Sequence, residues 1–287
     1  MTDVAIGILR GALYLGGSAL VFVFGSSYYQ LFRSNRSFLY KSVLVAGFAV
    51  STWLTIRGTL APAYGLLSFA FLAAAAANLL GASAAYLHKP LRISDDTLQG
   101  MAVGKAIEAS VVVGSIVVLS WLIGVPAGAL YLQAGRLGLG LAIGCGGFAL
   151  FAVVAAMQAR QMKISGRTIV GLLPWILLFV LANGFMEELW LRAIFLRPLI
   201  SLIGPIAAIA LTALVFALAH IGISYMSKEE RLRFLVILFP LGLAWGACLH
   251  FTGSILASAL FHAGADLMIV NGLIADLAAK RAKTQPT

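Results

Sequence analysis

Apolar residues in this chain fall into long, nearly uninterrupted runs, unlike the one-faced helices or alternating strands of a soluble domain, and turn or charge signals punctuate them at fairly even intervals. A helix rising about 1.5 Å per residue needs about 20 apolar residues to cross a hydrocarbon core about 30 Å thick. On that scale the runs give nine candidate spans, at about 4–25, 39–56, 63–87, 106–125, 137–157, 169–196, 199–220, 234–251 and 254–275. The sixth is too long for one straight crossing. Pro174 and the pair Asn183-Gly184 are its expected breaks, leaving an interfacial piece before a true span at 177–197. The fold class predicted is all-α: a polytopic transmembrane helical bundle.

Composition excludes the soluble alternatives. Of 287 residues, 61% are hydrophobic and 10% charged, with mean hydropathy +1.00, against roughly 25% charged in ordinary soluble domains. The excess of 20 Lys+Arg over 10 Asp+Glu would suggest nucleic acid in a soluble protein. Here the basic residues gather in short loops between apolar runs, so the expected partner is the lipid bilayer and not nucleic acid. The loops after spans 1, 3, 5 and 7 hold Arg33, Arg36 and Lys41; Lys89, Arg92 and Lys105; Arg160, Lys163 and Arg167; and Lys228, Arg231 and Arg233. Alternate loops hold Arg57, Arg136 and Arg197 alone, while the tail holds Lys280, Arg281 and Lys283. The positive-inside rule then places the C-terminus in the cytoplasm and the N-terminus outside, in a cell (inner or plasma) membrane. The first run carries Arg10 and lacks a small-residue cleavage site, so it reads as a retained span. Cys145 and Cys248 lie in apolar runs without metal or redox spacing and read as packing residues. Gly138, Gly140, Gly144, Gly146 and Gly147 read as a close helix-packing surface, since no strand precedes them.

Ionisable residues inside the apolar runs carry the chemistry. Each costs at least about 2.5–3.5 kcal/mol at mid-membrane, so those that persist face the bundle interior and mark function. Glu108, one turn from Lys105, reads as a surface pair, His88 as interfacial and His250 as a structural histidine. The C-terminal third holds the rest: Glu187, Glu188, Arg192, His220, His262 and Asp266. Glu188 and Arg192, Phe216 and His220, and His262 and Asp266 are each four apart, one turn apart on one helix face. Counting residues from the outer turn puts Glu187, His220 and His262 in the middle to inner part of the core, where they can line one cavity. A carboxylate beside imidazoles in a low-dielectric pocket is equipment for activating water. Arg192 can hold Glu188 ionised, which leaves Glu187 as the base; His220 shuttles the proton, and His262 with Asp266 positions a carbonyl or stabilises its oxyanion. Hydrolysis, most naturally of a peptide bond, fits this set. Trp190 and Phe195 read as packing or lipid-facing residues, and Phe216 as a wall of the substrate cavity.

Glu187-Glu188-x-x-x-Arg192, Phe216-x-x-x-His220 and His262-x-x-x-Asp266, in this order on successive apolar segments, resemble the signature of the CAAX prenyl endopeptidase family and its prokaryotic CPBP intramembrane protease relatives. The resemblance covers about residues 137–275. It implies a protease core there; the N-terminal transmembrane helices over 1–136 lie outside it with no role assigned, and 276–287 reads as a basic cytoplasmic tail. It further implies a glutamate-dependent intramembrane endopeptidase acting on a membrane-associated protein or peptide precursor, with Glu187 the water-activating carboxylate assisted by His220. Glu188 and Arg192 would support it, and His262 with residue 266 would form the oxyanion side. Asp stands at 266 where well-studied relatives have Asn; an ionised Asp cannot donate to an oxyanion, so Asp266 is either protonated or orients His262. Two His and a Glu are also zinc donors, but the H-E-x-x-H spacing is absent, and the expectation is catalysis without a metal or other cofactor. The rival readings are an ion- or proton-coupled transporter using Glu187, Glu188 and His220 as a path, and a non-catalytic immunity or scaffold protein.

Overall fold

The computed structural model describes residues 2–25, 35–58, 61–88, 90–221 and 228–284; Arg33 and Lys89, used above for topology, lie outside them. The described residues form nine principal helices and no strand: α1 Asp3–Phe24, α2 Asn35–Arg57, α3 Pro62–Ala84, α4 Leu98–Ile123, α5 Leu137–Gln161, α6 Gly166–Ile203, α7 Pro205–Ala219, α8 Lys228–Thr252 and α9 Ile255–Thr284. Eight are long and apolar enough to cross a membrane; α7, with 15 residues, is the shorter exception. The protein is a multi-pass membrane helical bundle.

Three boundaries differ from the sequence expectation, each for a local reason. α4 begins before Lys105, because Thr97 caps it by accepting a hydrogen bond from the Gly100 backbone N–H (3.1 Å), so Lys105 is helical and pairs with Glu108 at 2.7 Å. α6 does not break at Pro174 or at Asn183-Gly184 but runs on through Ile203, which makes Arg197 helical as well. Arg197 carries its guanidinium 4.8 Å over the Tyr131 ring. Gly184 is a contact point and not a hinge: a Cβ there would lie 2.9 Å from the Ala259 carbonyl oxygen and from the Ala263 amide nitrogen of α9. The turn that ends α6 falls at Gly204, whose φ of +82° suits glycine, so α7 starts only at Pro205. At about 1.5 Å per residue α7 is roughly 22 Å long, which ends it, with His220 as its C-terminal cap, short of a full crossing.

Packing then fixes where these ends lie. The small-residue stretch Ala73 to Ala77 is buried and makes α3 the centre of the N-terminal helices. Tyr14, Phe22, Phe71 and Phe195 form a tilted and edge-to-face aromatic cluster, with centroids 5.0–6.1 Å apart, that ties α1 and α3 to α6. Arg10, the charge in the first span, is satisfied there: it donates to Tyr64 Oη at 2.9 Å and to the Leu202 carbonyl near the end of α6 at 2.8 Å. On the other side α5 packs on α9 through its glycines, where a Cβ at Gly144 would meet Leu260 at 2.9 Å and one at Gly147 would strike the Phe261 ring. The larger apolar core runs from Tyr14 of α1 to Ala259 of α9 and takes in the second half of α6, while Leu98, Ile176, Val180, Ala263, Val270 and Ile274 form a second one between α4, α6 and α9.

Candidate active site

α6 presents the first group of polar residues. Asn183 and Glu187 lie one turn apart, and from Glu188 to Ala193 the helix winds as a π turn, a local widening that accommodates an extra residue and recurs at functional sites. Glu188 and Arg192 sit in that turn as an ion pair, both 0% exposed. Two aromatic rings flank the guanidinium, Phe216 of α7 at 4.8 Å and Trp245 of α8 at 5.6 Å. Gly242 and Gly246 let α8 pack closely on α7, since a Cβ on either would lie 3.1 Å from Ala213 or Ile209. A charge pair this dry persists because each partner cancels much of the other's desolvation cost.

α9 adds His262 and Asp266. His262 Nδ1 lies 3.0 Å from Glu188 Oε1, and its Nε2 lies 3.5 Å from Asp266 Oδ1 and 3.8 Å from Glu187 Oε2. The other oxygen of Asp266 accepts a hydrogen bond from Asn183 Nδ2 at 2.9 Å, joining α9 back to α6. At the end of α7, His220 Nδ1 lies 2.8 Å from the Phe216 backbone carbonyl. A carbonyl only accepts, so that nitrogen carries a proton and Nε2 faces Glu187 Oε2, 3.4 Å away. Burial divides the cluster: the Glu187 and His220 side chains are 15% and 18% exposed, whereas His262 is 4% exposed. Its open edge is therefore at Glu187 and His220.

All six ionisable residues expected from the sequence, Glu187, Glu188, Arg192, His220, His262 and Asp266, come together in this cluster, with Phe216 against both histidine rings at 4.7 and 5.5 Å. The residues set aside lie elsewhere. His250 lies near the end of α8 against Phe251, and His88 lies 3.6 Å from Asp95 in the connection before α4. Trp190 packs edge-on against Phe22 and donates to the Ala74 carbonyl at 3.2 Å, and Phe195 is fully buried. Two participants were not anticipated. Asn183 has the sequence look of half a chain break, though its position four residues before Glu187 puts it on the same face. Trp245 stacks on His262 with centroids 4.1 Å apart and planes 10° apart, and no polar motif points to it.

Residues 169–268, about a third of the chain, match the family model described as type II CAAX prenyl endopeptidase Rce1-like, and the matched stretch contains every residue of the three motifs. No curated protein and no solved structure matches the chain. This segment of the multi-pass helical scaffold is therefore similar to the type II CAAX prenyl endopeptidases, and the similarity falls on the stretch that builds the polar cluster.

Proposed function

We propose that the protein hydrolyses a peptide bond of a membrane-associated protein or peptide precursor through a water molecule activated by Glu187. One observation carries the reading: Glu187 is the only carboxylate of the cluster that combines partial exposure with contact to two imidazoles. Glu188, its neighbour, is committed to Arg192 and His262 and is fully buried. Glu187 accepts a proton from water as the water attacks the scissile carbonyl, and His220, within reach of the same carboxylate oxygen, relays that proton to the leaving amine. His262 faces the developing oxyanion. It supplies positive charge in a site where a low dielectric magnifies each interaction.

Asp266 then acts as a positioning residue. It is held by Asn183 and lies 3.5 Å from His262 Nε2, the nitrogen that also faces Glu187, so its charge orients the ring and favours a proton there. Asp266→Asn keeps the shape and removes the charge. The expected result is a several-fold fall in kcat with little change in KM; a rise in kcat would mean that position 266 donates to the oxyanion.

The donor set suits proton transfer better than a resident zinc ion. Both His262 nitrogens face carboxylates, Glu188 is bound to Arg192, and among the described residues no group of three or more His, Cys, Asp or Glu side chains is arranged to hold a metal. We propose a reaction that uses neither a metal nor another cofactor, and the chelator arm below tests it. We further propose that the C-terminus and the opening of the site, beside the end of α7, face the cytoplasm, a reading that the basic loops support. These assignments are tested by offering a quenched fluorogenic membrane-peptide library to the purified wild type, Glu187→Gln and His220→Gln in liposomes, with and without a zinc chelator. Cleavage that is indifferent to chelation in wild type, lost in Glu187→Gln and reduced in His220→Gln is expected. Chelator-sensitive cleavage, or equal cleavage by all three proteins, would overturn the assignment.

A further inference from the structure

We infer that Trp245 of α8 is a positioning residue for the reaction, holding the plane of the His262 imidazole; the inference rests on the proteolytic reading above. The contacts of His262 divide by direction. Its two nitrogens meet Glu188, Asp266 and Glu187 at 3.0, 3.5 and 3.8 Å, and polar contacts of this kind lie near the plane of the ring. They fix rotation within that plane and leave tilt about the line joining them weakly restrained. Tilt is what a stacked ring opposes. Trp245 lies face to face with the imidazole, its centroid 4.1 Å away and its plane within 10° of parallel, while Phe216 meets the same imidazole edge-on at 5.5 Å and 78°.

Trp245 is itself immobilised. It is 1% exposed, it meets Phe216 edge-to-face at 5.5 Å, and the Arg192 guanidinium lies 5.6 Å over its ring. The indole thus touches both the histidine at the reacting side and the arginine that holds Glu188, from a helix that contributes none of the three motifs. An electron-rich indole face also favours a positively charged imidazole over a neutral one. Because misplacement of a reacting group by about 1 Å can cost a hundredfold in rate, a tilted His262 weakens the chemical step while leaving substrate binding intact.

The test uses the full chain in liposomes and the peptide from the quenched library that wild type cleaves and Glu187→Gln does not. Trp245→Leu is expected to lower kcat at least tenfold with KM changed less than twofold, and Trp245→Phe, which restores a flat ring, to recover most of that loss. A Leu variant with wild-type kcat would overturn the inference. So would a loss shared by kcat, KM and thermal stability that Phe does not repair, because that pattern belongs to packing alone. The contact itself is read without substrate: in protein labelled with 5-fluorotryptophan, the fluorine resonance that Trp245→Phe removes is expected to move when His262 is replaced by Gln. A resonance that stays in place would overturn the stack even if the enzyme is active. If wild type cleaves no peptide while that resonance does move, the proteolytic reading fails and the positioning role falls with it, although the stack stands.

Discussion

Arg192→Ala loses about 3–5 kcal/mol of stability, the usual consequence of removing one partner from a buried ion pair. Arg192 is 0% exposed, and the substitution leaves the Glu188 carboxylate equally dry with His262 as its remaining close polar partner. It also opens a space between Phe216 and Trp245, which lie 4.8 and 5.6 Å from the guanidinium. Thermal unfolding in detergent reads the loss. The double variant Glu188→Gln with Arg192→Met removes both charges and keeps side chains of similar length, so it is expected to recover most of the stability. A single variant that melts with wild type would contradict the ion pair as a structural element of the site.

The second large effect is on rate. Glu187→Gln preserves the volume of the side chain and its place between His220 and His262, but an amide does not take a proton from water at neutral pH. General-base catalysis contributes about a hundredfold to ten-thousandfold, so kcat is expected to fall by at least about a hundredfold. Its melting temperature should stay near that of wild type, because Glu187 lies at the open edge, 15% exposed, and is not half of the buried pair. The contrast with Arg192→Ala separates the two roles: one residue holds the site and the other reacts. His220→Gln, at 3.4 Å from the same oxygen, should show a smaller loss of rate through the same step.

The site was more legible in the sequence than the shape of the helices that build it. Ionisable groups in apolar runs announce themselves, because each is too costly in a membrane to persist without a partner. The four-residue spacings pair Glu188 with Arg192 and His262 with Asp266, and both pairs are in contact. What escaped are features that depend on neighbours. Trp245 is one of five tryptophans in a chain that is 61% hydrophobic, and nothing local distinguishes a ring that stacks on an imidazole from one that faces lipid. Asn183 and Gly184 look like a break only in isolation; against α9 the first is a hydrogen-bond donor to Asp266 and the second the place where two backbones meet. The π turn at Glu188–Ala193 has no recognisable sequence rule at all, yet it is the local irregularity that places Glu188 and Arg192.

The central claim, that Glu187 activates a water molecule which itself attacks the peptide, is tested most directly by one turnover in water enriched in oxygen-18. With enzyme in excess over the fluorogenic peptide, the new C-terminal carboxylate of the product should carry one labelled oxygen and the peptide containing Glu187 should keep its ordinary mass. Unlabelled product, with the label found on Glu187 instead, would mean that the carboxylate attacks the peptide directly and would contradict the account.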